Sequence, residues 1–343
     1  MSLANINQSP GVHISNSYVV IIDVLSGVGQ GTILGPLLFI VFFNDSDSTM
    51  EGVFALNFAD DKKILSIVKT EYDAMRLQKA INEFMGWCKL NNLNVNGSKS
   101  RVITFTHKRN KIAFPYKVNG ETVVRVNVIR DLGVMFDEKL NFSKHIEYIT
   151  KKAQIALHFI MRQSVYFGKD IIRILYMSLV RSNLEFACSV WTPYHALYRN
   201  TLESIQKQFL IKLNGDNINR SENNYVLRPY SDRCKESDLE SLIRRRINAS
   251  ILLIHSIITG KFKSKLLRDH MDLNPGIRTL RNPEFIKLRY CRTEYSIWSS
   301  MNNACRTFNH AALFIDPTLP HNQFRKKLLA LPDNVFGPWI KFN

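Results

Sequence analysis

Two adjacent carboxylates, Asp60 and Asp61, stand in the stretch "NFADDKK", and a glycine-rich stretch, "SGVGQG", lies upstream at residues 26–31. Paired aspartates present hard, anionic oxygens of the kind magnesium takes, with water completing its coordination. Two such ions can clamp the attacking and leaving oxygens of a phosphoryl transfer, a chemistry made mostly of positioning and charge neutralisation. The plain alternative is a solvated turn. The glycine-rich stretch lacks the Lys-Ser/Thr of a phosphate-binding loop, so it is not the signature of a nucleoside triphosphatase. Its glycines would let backbone come close to a base pair or a sugar, with Gln30 alongside. A simple strand-to-helix turn is its alternative.

The flanking patterns say what must hold these residues. "YVVIIDVL", residues 18–25, is a β-branched run and predicts a strand. "TILGPLLFIVFFND" follows the glycines; Pro36 suits the first turn of a helix, and apolar residues all round it predict burial on most faces. "GVFALNFADDKKILSIV" is two apolar runs split by Asp60–Lys63, which predicts a β-hairpin with the aspartates at or beside its turn. Helical spacing of Met75, Leu77, Ile81, Phe84, Met85 and Cys88 predicts a helix over residues 71–90. Asn119-Gly120 between extended flanks predicts a second hairpin. From residue 143 the pattern turns helical, with Ser143 as the expected N-cap and Ile146, Ile149, Ala153, Ala156, Leu157 and Ile160 on one face. "NGDNINRSENN", residues 214–224, is the best linker candidate.

Charge is unevenly spread over the 343 residues. Residues 1–68 carry two basic and six acidic side chains, whereas residues 143–343 carry 31 basic and 16 acidic ones, a net of +15. A basic surface of this kind favours polyanions by releasing their counterions. The five cysteines lie far apart with no CxxC pair, which predicts free thiols in a reducing compartment. The longest apolar run, Leu37 to Phe43, has seven residues, against about 20 needed to span a bilayer, so no membrane partner is expected. The expected location is intracellular, in nucleus or cytoplasm.

Taken in order, "SGVGQGTILGPLLFIVFFND", "FADD", "NVNGSKSRVITF", "VIRDLGVMFDEKLNFSKHI", "LVRSNLEFACSVWTPY" and "IQKQFL" resemble the reverse transcriptases of LINE-type non-LTR retrotransposons, jockey-like elements especially. "YCRTEYSIWSSMNNACRTFN" is similar to the tail of those polyproteins, so the resemblance runs from about residue 13 to about residue 330. It implies an α+β fold: a partial right-hand polymerase palm, an antiparallel sheet with packed helices, over residues 1–142. A helical thumb-like region would follow at 143–213 and a basic helical C-terminal region at 225–343. It implies nucleotidyl transfer with Mg2+ or Mn2+, two ions in the complete site, on an RNA template, a DNA primer and dNTPs.

Residue by residue, the resemblance makes Asp60 and Asp61 the catalytic, metal-holding carboxylates, with Phe58 and Ala59 beside the nucleotide. Gly27, Gln30 and Gly31 would line nucleotide and template. Lys99, in "NGSKS", matches a lysine that assists the leaving pyrophosphate, with a solvated turn as the alternative. Asp131, Gly133 and Trp191 match family landmarks but read as turn and core residues.

Three positions depart from the family pattern: Gly29 stands for a proline, Asn57 for an apolar residue and Lys62 for a threonine. Lys62 is expected to place a cation next to the metal ligands. The family also needs a third carboxylate well upstream of the glycine-rich loop, and the only acidic residue before Ser26 is Asp23, in the lead-in strand. The expectation is a polymerase fragment inactive alone, with the missing N-terminal part of the polyprotein as a partner; the alternative is a non-enzymatic nucleic-acid-binding remnant.

Overall fold

The computed structural model describes residues 11–15, 18–22, 32–48, 50–214, 228–269, 271–273, 285–288 and 290–337. The chain forms two compact units, Met1–Asn127 and Val128–Asn343. Helices combine with small, mostly antiparallel sheets, so the fold is mixed α+β.

In the first unit, strands β1 (Gly11–Ser15) and β2 (Tyr18–Ile22) pair as a hairpin. Helix α1 (Gly35–Asn44) carries proline in its first turn, as its sequence suggests, and a 3-10 turn, Asp45–Asp47, follows. Strands β3 (Phe54–Phe58) and β4 (Asp61–Leu65) form the second hairpin. Helix α2 (Glu71–Leu90) starts with a capping box: the Asp73 amide donates to the Thr70 hydroxyl and the Thr70 amide to the Asp73 carboxylate. Two-residue strands complete the unit: β5 (Arg101–Val102), β6 (Lys117–Val118), β7 (Glu121–Thr122) and β8 (Val124–Arg125). β6 and β7 turn through Asn119 (φ 52°) and Gly120 (φ 83°), the positive-φ pair that Asn-Gly adopts readily.

The core here is small: Phe43 of α1, Met50, and Ala80, Phe84 and Cys88 of α2, with Ala55 and Ile64 of the β3–β4 hairpin against it. Period-2 alternation decides the rest. Ala55, Asn57, Lys62 and Ile64 are cross-strand partners on the face toward the helices, while Phe54, Leu56, Phe58 and Leu65 stay 59, 47, 59 and 39% exposed. Helix α1 departs from its expected burial on most faces, for Leu37, Ile40 and Val41 are 57, 60 and 63% exposed. Its Phe43 side packs on Phe84 and Trp87, and among the described residues nothing covers the opposite side.

The second unit opens with strands β9 (Val128–Asp131) and β10 (Val134–Asp137), which turn through Leu132 (φ 43°) and Gly133 (φ 87°). A Cβ on Gly133 would lie 2.9 Å from the Phe186 ring, so glycine is required by contact as well as by backbone. Helix α3 (Ser143–Gln163) buries Ile146, Ile149, Ala153, Leu157 and Ile160. Ser143 is its first helical residue and not its cap; the cap position is Phe142 in a left-handed conformation (φ 58°) with no side-chain bond. Next come α4 (Lys169–Leu175), a π-helical turn at Tyr176–Arg181, α5 (Ser182–Glu185), α6 (Cys188–Trp191) and α7 (Ala196–Leu213). From residue 215 to 224 the linker candidate lies outside the described residues.

Helices α8 (Tyr230–Glu236), α9 (Leu242–Ile258) and α10 (Lys265–Asp269) follow. The unit ends with strands β11 (Asp272–Leu273) and β12 (Ile286–Lys287) and helices α11 (Glu294–Ile297), α12 (Ser300–Ala311) and α13 (His321–Ala330). One apolar core joins α3, the π-turn region and α7 around Trp191, which is fully buried with its indole N–H on the Phe186 carbonyl at 2.8 Å. A second core joins α9, α12 and α13. Where α7 meets the start of α9, the buried Glu203 carboxylate accepts the amides of Leu242 (2.9 Å) and Ile243 (3.1 Å) and the Tyr230 hydroxyl (2.5 Å). It supplies the acceptors that the first turn of a helix lacks. Arg246, also buried, lies 3.7 Å from the same carboxylate.

Candidate active site

The β3–β4 hairpin carries the paired aspartates at its tip. Phe58 and Asp61 are the last cross-strand pair, and Ala59 and Asp60 form the turn between them. Ala59 holds φ 50°, a conformation that L-residues disfavour and that a tight connection demands. Both aspartates are exposed, and among the described residues neither has a hydrogen-bonded or ion-paired partner. Two unneutralised carboxylates on consecutive residues repel each other and are relieved by a cation. The donor set suits one divalent ion with water completing its shell. It does not by itself suit two ions, because among the described residues no group of three or more His, Cys, Asp or Glu side chains is placed to hold a metal.

Lys62 does not stand beside these ligands as expected. Being next to Asp61 in a strand, it points to the opposite face. Its side chain is 5% exposed, and its ammonium donates to Asp47 (2.5 Å), to the Ser46 hydroxyl (2.7 Å) and to Asn57 (3.2 Å). It lies over the rings of Phe43 and Phe84, 5.1 and 4.8 Å from their centres, where the ring faces favour a cation. The Asn57 amide completes the network with two 3.0 Å bonds to Asp47. Burial pushes the Asp47 carboxyl up, but the Lys62 bond and charge, with Asn57 and Ser46, outweigh it and hold the group below 3.8. The two departures from the family pattern on this hairpin, Asn57 and Lys62, are therefore cross-strand partners in one network. It fastens the hairpin to the turn after α1 and leaves the tip free of the cation.

Lys99 occupies the turn after α2, exposed, its amide bonded to the Asn96 side chain at 3.1 Å. Gly27, Gln30 and Gly31, and Asp23, lie outside the described residues. The network around Lys62 escaped sequence reading, although alternation in "NFADDKKIL" already separates Lys62 from Asp61. No described helix is long and apolar enough to cross a membrane.

The sequence that carries this hairpin matches a known family. Residues 13–148 match the family of the reverse transcriptase (RNA-dependent DNA polymerase). Over that region and beyond it the chain is similar to RNA-directed DNA polymerases of mobile elements, jockey among them. It is 30% identical over 179 residues to the probable RNA-directed DNA polymerase from transposon X-element of Drosophila melanogaster, a match covering 49% of this chain and 19% of that protein. To the RNA-directed DNA polymerase from mobile element jockey of the same species it is 26% identical over 205 residues, 56% of this chain and 22% of the other. To the retrovirus-related Pol polyprotein from type-1 retrotransposable element R1 of Bradysia coprophila it is 25% identical over 176 residues, 49% and 18% of the two chains. The matched region thus spans about a fifth of the length of these relatives. No solved structure matches.

Proposed function

We propose that this chain provides the metal-holding hairpin and the nucleic-acid grip of an RNA-directed DNA polymerase. The observation that carries the reading is the pair of unpartnered carboxylates, Asp60 and Asp61, at a hairpin tip inside a reverse transcriptase-family region. In this reading residues 1–142 form part of a palm, 143–213 a thumb-like region and 225–343 a basic C-terminal region. Asp60 and Asp61 hold a Mg2+ or Mn2+ ion, whose role is to polarise phosphoryl oxygens and offset their charge. Phe58 and Ala59 flank the nucleotide; Gly27, Gln30 and Gly31 approach nucleotide and template through backbone; Lys99 neutralises pyrophosphate. RNA template, DNA primer and dNTP are the partners, with the net +15 of residues 143–343 supplying contacts to phosphates.

A two-ion site needs a further carboxylate to bridge the metals, and a segment supplied by the N-terminal part of such a polyprotein would bring it. The test is template-directed primer extension with Mg2+ and then Mn2+. It compares the chain alone, the chain with an N-terminal fragment from a related element, and the same pair carrying Asp60→Ala. Extension by the pair alone, abolished by Asp60→Ala, supports the reading. Extension that survives Asp60→Ala overturns the assignment of the hairpin.

A second reading, a nucleic-acid-binding protein without catalysis, is favoured by the lack of a three-carboxylate group among the described residues. It predicts salt-sensitive binding of an RNA–DNA hybrid that is indifferent to Mg2+ and to Asp60→Ala, with no extension by any combination.

A further inference from the structure

The second unit holds a cavity of about 260 Å³ whose walls come from three separate parts of its sequence. The β10–α3 loop gives Asn141 and Phe142, the α6–α7 connection gives Tyr194 and the start of α7 gives Tyr198, and α11 gives Tyr295 with Trp298 just after it, with buried Trp191 behind them. These rings are half-buried; Phe142 and Tyr198 rest on the apolar core, while Tyr194, Tyr295 and Trp298 lie outside it. Tyr194 and His195 lie ring to ring at 3.8 Å, and the Arg306 guanidinium stands 6.0 Å from the Trp298 ring.

The walls are fixed before anything binds. Asp137, 9% exposed, accepts the backbone amides of Lys139 (3.0 Å), Asn141 (3.3 Å) and Phe142 (2.7 Å). Those bonds hold Leu140 and Phe142 at φ 52° and 58°, strained values for non-glycine residues. Strain of this kind persists only where the surroundings over-determine it, and it clusters at ligand sites. Across the cavity, the Ser300 hydroxyl donates to the Val190 carbonyl, which ties α12 to the end of α6. Thr192 is bonded back to the Cys188 carbonyl at 2.6 Å. Three segments far apart in sequence are thus locked into one aromatic-walled space that no described residue fills.

We propose that this cavity takes one unpaired nucleobase of single-stranded nucleic acid, stacked against its aromatic rings. The proposal rests on the nucleic-acid-binding reading above and adds a base-reading element to it. Flat aromatic faces with a few polar groups at the rim fit a base, and stacking of bases on Tyr and Trp is how proteins hold unpaired strands. The volume lies below the roughly 300–1,000 Å³ of drug-sized pockets, a size that suits a single base. The surrounding unit is strongly basic, so a strand would already be held by its phosphates, and a base turned out of it meets the cavity.

The test uses the full chain, a short single-stranded RNA, the same RNA with abasic positions, and an RNA–DNA hybrid duplex, each measured by fluorescence anisotropy across a salt series. Tyr194→Ala and Trp298→Ala should each weaken single-strand binding by about tenfold, the effect of losing one stacked base. Hybrid binding and the salt slope should not change, and abasic RNA should bind wild type as weakly as intact RNA binds the variants. Trp298→Phe should keep most of the affinity, which separates stacking from loss of fold. Photo-crosslinking with 4-thiouridine RNA should label the peptides containing Tyr194 or Trp298. Equal weakening on hybrid and single strand, no weakening, or crosslinks confined to other peptides overturns the proposal while leaving nucleic-acid binding intact. Absence of salt-sensitive binding to any of these nucleic acids overturns both it and the reading on which it rests.

Discussion

Removing the two partners of the Lys62–Asp47 pair one at a time should cost very different amounts. Lys62 is 5% exposed and Asp47 39% exposed at their side chains. In Asp47→Ala the ammonium stays buried with only the Ser46 hydroxyl, the Asn57 amide oxygen and the faces of Phe43 and Phe84. Stranding one ion of a buried pair costs about 3–5 kcal/mol. The two neutral acceptors and two rings that remain lower this to about 2–3 kcal/mol. In Lys62→Met an apolar chain of similar length fills the same space, and the half-solvated Asp47 carboxylate turns to water, so the cost is about 1 kcal/mol.

Hydrogen exchange of the β3–β4 amides reads these local opening energies in the full chain. The pair also predicts a pH effect. Since the folded Asp47 carboxyl sits below 3.8, its contribution is complete above that value and fades as pH falls through the lower folded one. Lys62→Met should shrink this acid sensitivity. If Lys62→Met opens the hairpin as much as Asp47→Ala, burial of the ammonium does not govern the network and the reasoning fails.

Glu203→Ala should destabilise the second unit by about 3–5 kcal/mol, because it leaves Arg246 buried without its carboxylate and the first amides of α9 without acceptors; a change under about 1 kcal/mol in urea unfolding would refute this. His145 is 1% exposed, and burial, aided by the Arg130 charge, pushes its imidazole down to about 4 from 6.5. An unfolded chain binds a proton below 6.5 that the folded one refuses until about 4, so stability is full above 6.5 and declines toward pH 4 by up to about 3 kcal/mol. His145→Phe should flatten that part of the pH–stability curve, and an unchanged slope would show that another group titrates there.

How much of this could be read from residue types alone varies with the range of the interaction. The hairpin tip was legible because "FADD" interrupts an apolar run with the residues a turn needs, and Asn119-Gly120 was legible for the same reason. Helices α2 and α3 follow their apolar spacing, except that Met75 of α2 is 59% exposed while Ala74 beside it is buried. Helix α1 misled, since apolar residues all round it predict burial while its partners cover one side only. Ser143 misled because the Asp137 carboxylate already organises the backbone before α3, which leaves the cap position to Phe142. Adjacency in sequence sets Lys62 beside Asp61, but strand alternation turns it to the opposite face, where Asp47 is its partner. The Glu203 network and the aromatic cavity join residues tens of positions apart, and no local pattern announces them.

Divalent-ion binding at the hairpin tip tests the central claim most directly. Electron paramagnetic resonance of Mn2+ titrated into the full chain should show a weak site, with binding lowered at least tenfold, about 1.4 kcal/mol, by either Asp60→Asn or Asp61→Asn. Lys62→Met, on the opposite face of the hairpin, should leave it unchanged. Mn2+ binding that survives loss of both Asp60 and Asp61 would mean that the paired aspartates are a solvated turn and that the metal centre lies elsewhere.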